Sequence, residues 1–421
     1  MKILFLTNVM PVFPVHHSGG AQRTSLILKA LESFGQVDFV FVCPQGVPSR
    51  QRWEGMQEAR PEVIRVQWQE PKPFRGAHRL GSLLSAPSRE SFLESVVEMR
   101  RFEVQPTVRD QVRMRVVEGK YDLVVARYIR PAAVAGLFDR DFPVPVLVDI
   151  DDLDSEVLRL KLEQKTDFFS RWTRNSRVAR LERLIREYVK RTKGVFIANP
   201  SDAQRVQDTR GWFLPNIPFH FINGVNEPLP DVSGSQDILF VGNLGYGPNK
   251  DGLNYFLQAV WPQVLGEEPC ARLRVVGSFL KPEDGSRWAE IENVDVIGFA
   301  EDLEAEYARC AFSICPVYWG GGSKIKILES LAYQRTCVIS PHAHEAYATS
   351  LRHREHLWVG HDDAEFAAGC VTLLQDGALR QRCAQVGRET VCKEFTYEST
   401  RRVVSSALAA SGFTAVANAN V

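Results

Sequence analysis

Pro316-Val-Tyr-Trp-Gly-Gly-Gly-Ser-Lys-Ile-Lys-Ile-Leu-Glu329, followed by Ser-Leu-Ala-Tyr-Gln334, decides the fold class of this 421-residue chain. Ahead of it the apolar run Ala311-Phe-Ser-Ile-Cys315 stops at a proline, which predicts a buried parallel strand that delivers the chain to a loop. Gly320, Gly321 and Gly322 lack a Cβ, so the backbone can turn sharply there and approach a ligand closely. Ser323 is expected to cap a helix, and Ile325, Ile327, Leu328, Leu331 and Ala332 give that helix a buried stripe. Lys324 and Lys326 stand in its first turn, where unpaired N–H groups and the positive end of the helix dipole already favour anions. Together they predict a cationic pocket suited to a diphosphate. Glu329 lies further along and can accept hydrogen bonds from sugar or ribose hydroxyls. The plain alternative is an ordinary strand-loop-helix unit with solvated lysines.

Upstream, the same unit recurs. Ile238-Leu-Phe-Val241 reads as a strand running into Gly242-Asn-Leu-Gly-Tyr-Gly-Pro-Asn-Lys-Asp-Gly252, then a helix bearing Leu253, Phe256, Leu257 and Val260. Strands at 273–276 and 294–297 and an acidic helix start at 302–307 lead back to the central strand. Downstream come a strand at 337–340, the loop Pro341-His-Ala-His-Glu345, a strand at 357–360 and helices at 362–374, 379–395 and 398–410. Two histidines beside Glu345 have no further ligand near them in sequence, too few for a metal site. Residues 215–237 are rich in Pro, Gly and Asn without a helical period, so a linker is expected there.

The amino-terminal half repeats the pattern once more. A strand at 2–6 and a loop over 7–18 lead to Gly19-Gly20 and a helix with Leu26, Ile27, Ala30 and Leu31. Further strands are expected at 37–43, 121–126, 144–148 and 194–198, with a mixture of strands and helices over 45–115. The strand at 144–148 ends in Asp149-Ile-Asp-Asp-Leu-Asp154, where an open α/β sheet binds ligands. Those carboxylates cap a helix, line an acceptor cleft, or hold Mg²⁺ through a D-x-D pair. A long helix over 171–193 carries arginines at 171, 174, 177, 180, 183 and 186, most simply a solvated face. Strands alternating with helices in both halves predict an α/β protein: two doubly wound Rossmann-like domains, residues 1–214 and 238–397, facing across a cleft. The helix 398–410 is left over, and 411–421 read as a tail.

The pattern resembles the family 4 (group 1) glycosyltransferases of the GT-B fold, most closely over 238–375, and the triple-glycine stretch matches a branch reading Gly-Gly-Gly-Ser/Thr-Arg/Lys-x-Lys-x-Leu-Glu. The resemblance implies a nucleotide-diphosphate sugar donor, a glycan, lipid-linked or small-molecule acceptor, retention of configuration, and no required metal or other cofactor. It places Gly19, Gly20, Gly242, Asn243, Gly321, Gly322, Ser323, Lys324, Lys326, Glu329 and Glu345 at the donor, and returns the helix 398–410 to the first domain. Lys324 and Lys326 then stabilise the leaving diphosphate, while Asp151 or Asp152 would serve as general base if the reaction inverts. The first of the family's two glutamates falls on Gly321, and Asn243 and Asp251 stand where an arginine and a lysine are usual. These departures leave an inactive binding subunit as one alternative, and another GT-B enzyme, an epimerase-like one, is a second.

Composition sets the remaining bounds. Net charge is zero, yet residues 1–215 hold 34 Lys/Arg against 26 Asp/Glu, which leaves 17 against 25 for the rest. A half at +8 can face an anionic acceptor or the inner membrane surface, or merely attract its own acidic half; nothing points to nucleic acid. Eight cysteines without C-x-x-C spacing read as reduced, buried thiols. The apolar start breaks off at Thr7-Asn8, too short for a secretory segment, and no apolar run is long enough to span a bilayer, so a cytoplasmic place is expected.

Overall fold

Each half of the chain builds one parallel sheet in a computed structural model that describes residues 1–11, 19–45, 53–54, 63–206, 211–232 and 234–413. Most of the loop expected over 7–18 and most of the tail over 411–421 lie outside the described residues. Two units emerge: Met1–Leu214 with Thr400–Val421, and Pro215–Ser399.

The first unit holds β1 (Lys2–Thr7), β2 (Gln36–Pro44), β3 (Ile64–Trp68), β4 (Leu123–Arg127), β5 (Val146–Ile150), β6 (Gly194–Ile197) and β7 (Gly211–Phe213) in the order β3-β2-β1-β4-β5-β6-β7. Every residue of β4 and β5 is buried, which is why these strands read as unbroken apolar runs rather than alternating ones. Leu4, Val124, Val148 and Val195 of the sheet pack with Val112, Leu181 and Ile185 from helices Pro106–Glu118 and Phe168–Val189. The stretch 45–115, expected as a mixture, contributes β3 and the helices Arg75–Gly81, Ala86–Glu98 and Pro106–Glu118.

The arginine-rich helix opens three residues earlier than its arginine pattern suggests, because the Asp167 side chain accepts a hydrogen bond from the Ser170 N–H and caps it. Its face is not wholly solvated either. Arg177 is buried against Glu98 at 2.6 Å.

The second unit holds β8 (Asp237–Val241), β9 (Arg272–Val276), β10 (Val294–Gly298), β11 (Phe312–Cys315), β12 (Cys337–Ile339) and β13 (Trp358–Val359) in the order β10-β9-β8-β11-β12-β13. Growth of the sheet reverses between β8 and β11, so the loops leaving these two strands open the crevice where doubly wound sheets bind ligands. Residues 215–237, expected as a linker, are counted with this unit. Arg335 donates to the Pro230 carbonyl at 2.7 Å and the Leu229 N–H to the Tyr333 carbonyl at 3.3 Å, which ties the segment to the turn after helix Ile325–Ala332.

The final helix, Tyr397–Ala410, joins the first unit from Thr400 onward, and Arg401 reaches Ser33 Oγ at 3.2 Å with its guanidinium over the Phe34 ring. All eight cysteines are free thiols, but Cys270 and Cys392 are exposed, which corrects the expectation that all are buried. Among the described residues no helix is long and apolar enough to cross a membrane.

Candidate functional site

β8 and β11 pair in register, Ile238 with Phe312 and Phe240 with Ile314, so their outgoing loops start side by side. In the first loop the Asn243 side-chain oxygen accepts from the Gly245 N–H at 2.8 Å, and its carbonyl accepts from the Asn249 amide at 2.9 Å. In the second loop Gly320 has φ +100° and Gly322 +69°, conformations that favour glycine. A Cβ on Gly320 would lie 2.6 Å from Pro248 Cγ and 2.9 Å from the Tyr246 hydroxyl, while one on Gly247 would meet the Trp319 ring at 3.1 Å. The glycines are therefore demanded by the interlocking of the two loops as well as by backbone angles.

Lys326 sits where the loops meet. Its Nζ donates to Asn249 Oδ1 at 2.8 Å, lies 5.0 Å from the Phe240 ring centroid, and would stand 2.9 Å from a Cβ on Gly242. Burial, with Lys324 nearby, pushes its pKa down. A desolvated cation held by a neutral amide is short of counter-charge, and an anion entering here gains a strong interaction.

Lys324 is placed differently. Its Nζ donates to the carbonyls of Gly320, Gly321 and Gly322 at 3.2, 2.9 and 2.8 Å, so the ammonium gathers the glycine loop around itself. His342 Nε2 lies 2.7 Å from the same Gly320 carbonyl, and burial and then Lys324 lower the pKa of this histidine. Ser323 does not cap the helix as expected. The helix is Ile325–Ala332 with Lys324 in the N-cap position, and the Ser323 hydroxyl accepts from the Asn216 N–H at 3.1 Å instead.

Glu329 stands one turn beyond Lys326, on the same side of the helix. Burial raises its carboxyl to about 7, against the opposing pull of Lys326. Glu345 follows the short helix Pro341–His344, exposed, with Oε1 3.7 Å from His342 Nδ1. Gly242, Asn243, Gly321, Gly322, Ser323, Lys324, Lys326 and Glu329 thus belong to one neighbourhood, to which Glu345 is tied through His342. Asn249 and His342 had drawn no role from sequence. Asn249 lies within the glycine loop 242–252, but its amide gains meaning only when β8 and β11 are neighbours. Lys250 is turned to Asp284 at 3.3 Å.

The acidic run of the first unit forms a second cluster. Asp149 pairs with Arg23 at 2.5 Å and with Arg127 at 2.9 Å, and Arg127 pairs with Asp151 at 2.7 Å, all of them buried. The Tyr128 hydroxyl lies 3.0 Å from Arg127 Nη2, and Tyr128 holds φ +69°, a costly angle outside glycine. Helix Asp154–Glu163 has Leu153 in its N-cap position and no side-chain cap bond, so Asp149 and Asp151 balance buried arginines rather than cap it. The same pairing occupies the carboxylates of the D-x-D metal reading, and among the described residues no three His, Cys, Asp or Glu side chains are grouped to hold a metal ion. Asp152 is half-buried beside them, and burial raises Asp154 to about 6. Gly19 and Gly20 open the helix Gly19–Glu32 next to this cluster, a Cβ on Gly20 coming 3.7 Å from Arg127 Nη2 and from the Tyr128 hydroxyl.

Two doubly wound parallel sheets in this order define the GT-B fold, and solved structures agree over nearly the whole chain. A mutant of S. aureus TarM, in complex with Fondaparinux, alpha-GlcNAc-glycerol and UDP, is similar at TM-score 0.63 and 9% identity, covering 96% of this chain and 99% of that one. Anabaena Alr3699/HepE in complex with UDP gives 0.62 at 14% identity, covering 97% and 100%. Sucrose-phosphate synthase from Thermosynechococcus elongatus gives 0.62 at 15%, covering 96% and 98%. In sequence, residues 235–376, which contain both interlocked loops, match the family of group 1 glycosyl transferases. An uncharacterized 44.6 kDa protein in the cps region of Klebsiella pneumoniae is 28% identical over 138 residues, which is 31% of this chain and 35% of that protein's length.

Proposed function

We propose that this chain is a glycosyltransferase that moves a sugar from a nucleoside-diphosphate donor to an acceptor hydroxyl on a glycan, a lipid-linked sugar or a small molecule, with retention of configuration and without a metal ion. The observation that carries the reading is Lys326: a desolvated ammonium held by Asn249 beside the opening of helix Ile325–Ala332, within the stretch that matches the glycosyltransferase family. As the bond between the anomeric carbon and the diphosphate breaks, charge grows on the leaving oxygen, and a preorganised cation with helix N–H groups stabilises that charge most in the transition state. The departing phosphate oxygen takes the acceptor's proton while the acceptor oxygen bonds to the anomeric carbon on the same face, so no protein nucleophile is required. Lys324, bound to three carbonyls, keeps the loop in shape and adds its field rather than a direct contact. Glu329 accepts from hydroxyls of the donor.

UDP is the first nucleotide to try, since TarM and HepE are described with it. The experiment follows UDP released from candidate UDP-sugars without acceptor, for wild type and Lys326→Ala. Slow release by wild type, reduced in the variant by more than donor binding weakens, supports a transferase. Binding without release or transfer would instead favour a binding subunit, a reading that the glycine at position 321 keeps in view. Activity is expected to persist in EDTA; loss in chelator with return on adding Mg²⁺ or Mn²⁺ overturns the metal-free mechanism. Asp151, already paired with Arg127, is poorly placed to act as a base, and the anomeric configuration of the product read by NMR decides between retention and inversion.

A further inference from the structure

Large apolar side chains of soluble proteins seldom stand free in water as a group. In the first unit they do so on two helices that pack together. Leu83 is 83% exposed in the turn between helices Arg75–Gly81 and Ala86–Glu98, with Leu80 and Leu84 beside it, also exposed. Phe168 and Trp172 are 77% and 73% exposed and lie one turn apart on the opening of helix Phe168–Val189, on the same side. The helices that carry the two groups touch beside them. The Phe92 and Phe169 rings touch edge to face at 5.6 Å, Ser91 Oγ donates to Asp167 at 3.0 Å, and Gly81 lies against Phe92.

The surrounding charge is mainly basic, although exposed Glu90, Glu94 held by Lys165, and the capping Asp167 lie among the cations. Residues 71–89 contain four Lys/Arg and no Asp or Glu, and residues 168–181 contain four Arg and no Asp or Glu. Of these, Arg177 is spent on Glu98, while Lys72, Arg79, Arg89 and Arg171 are exposed.

We propose that this face of the first unit docks on an anionic lipid bilayer, with Leu83, Phe168 and Trp172 entering the headgroup boundary and the flanking arginines on lipid phosphates. Protruding Trp, Phe and Leu side chains ringed by cations suit a bilayer interface, which receives them without shape complementarity. A second copy of the chain is a poorer occupant, because a symmetric contact would set these cations against their own counterparts. The inference does not rest on the donor site, since the patch lies in the first unit and the glycine loops in the second.

The full chain is sedimented with vesicles of phosphatidylcholine, with and without phosphatidylglycerol, at low and high salt. Wild type is expected to pellet with the anionic vesicles and to be released by salt. The variant Leu83→Ser with Phe168→Ser and Trp172→Ser should bind at least about tenfold more weakly, because the inserted apolar area is gone. A second variant, Arg79→Glu with Arg171→Glu, should lose the preference for phosphatidylglycerol. Unchanged melting temperature and circular dichroism establish that both variants are folded. Wild type that stays in the supernatant with anionic vesicles at low salt, or variants that pellet as wild type does, overturns the proposal. So does a wild-type dimer without lipid that the serine variant converts to monomer, which would make a second copy the occupant.

Discussion

Glu329 gives the most direct test of a single residue. Its carboxyl titrates at about 7 in the fold against 4.5 for an ordinary glutamate, because burial disfavours the charged form. The folded protein therefore keeps a proton that the unfolded chain releases, and this group's contribution to stability falls as pH rises from 4.5 to about 7. Glu329→Gln, which cannot ionise, should remove that part of the pH dependence of the melting temperature. Donor binding should run the other way. If the carboxylate accepts the donor's hydroxyls, affinity rises through about pH 7 in wild type and stays flat in the variant, which at higher pH is weaker by about 1.5–3 kcal/mol. Titration calorimetry with the same sugar nucleotide on either side of pH 7 measures both, and equal affinities for the two proteins at every pH would remove Glu329 from the donor site. Asp149 is tested through stability alone. Asp149→Asn leaves two buried arginines short of a counter-charge, at an expected cost of about 3–5 kcal/mol by denaturant unfolding.

At the scale of the element, two glycines predict opposite outcomes for the same chemical change. Gly320 has φ +100° with Pro248 and Tyr246 in the way of a Cβ, so Gly320→Ala should destabilise by about 1–3 kcal/mol and weaken nucleotide binding by pushing the loops apart. Gly266 lies in the helix Trp261–Glu267 with nothing within 4 Å of the added methyl, so Gly266→Ala should stabilise by about 0.5–1 kcal/mol and leave binding alone. Thermal melts with and without UDP read both. Asn249→Leu should act like a loop mutation without a backbone cause, since it frees Lys326 and the Asn243 carbonyl together.

Across the whole molecule, the donor contacts proposed for Lys326 and Glu329 lie in Pro215–Ser399. Hydrogen exchange with saturating UDP should therefore slow most at residues 242–250 and 320–329, and protection confined to other segments would move the site elsewhere. The α/β class, the repeated strand, glycine loop and helix, and the cationic start at Lys324 and Lys326 were legible in the chain because they depend on local periodicity and on residue types that only glycine and lysine supply. Partnership was not. Ser323 has the chemistry of a cap, yet its hydroxyl serves Asn216, and Lys324, a diphosphate ligand by its place in sequence, spends its ammonium on three carbonyls of its own loop. The acidic run at 149–154 gave no sign of Arg23 and Arg127, which meet it only because β4 and β5 are neighbours and Arg23 reaches Asp149 from helix Gly19–Glu32. Local sequence determined which elements form and what charge they carry. The tertiary structure alone decided which charges are balanced inside the protein and which remain for a ligand, because a counter-ion is selected by distance in space and its strength by burial.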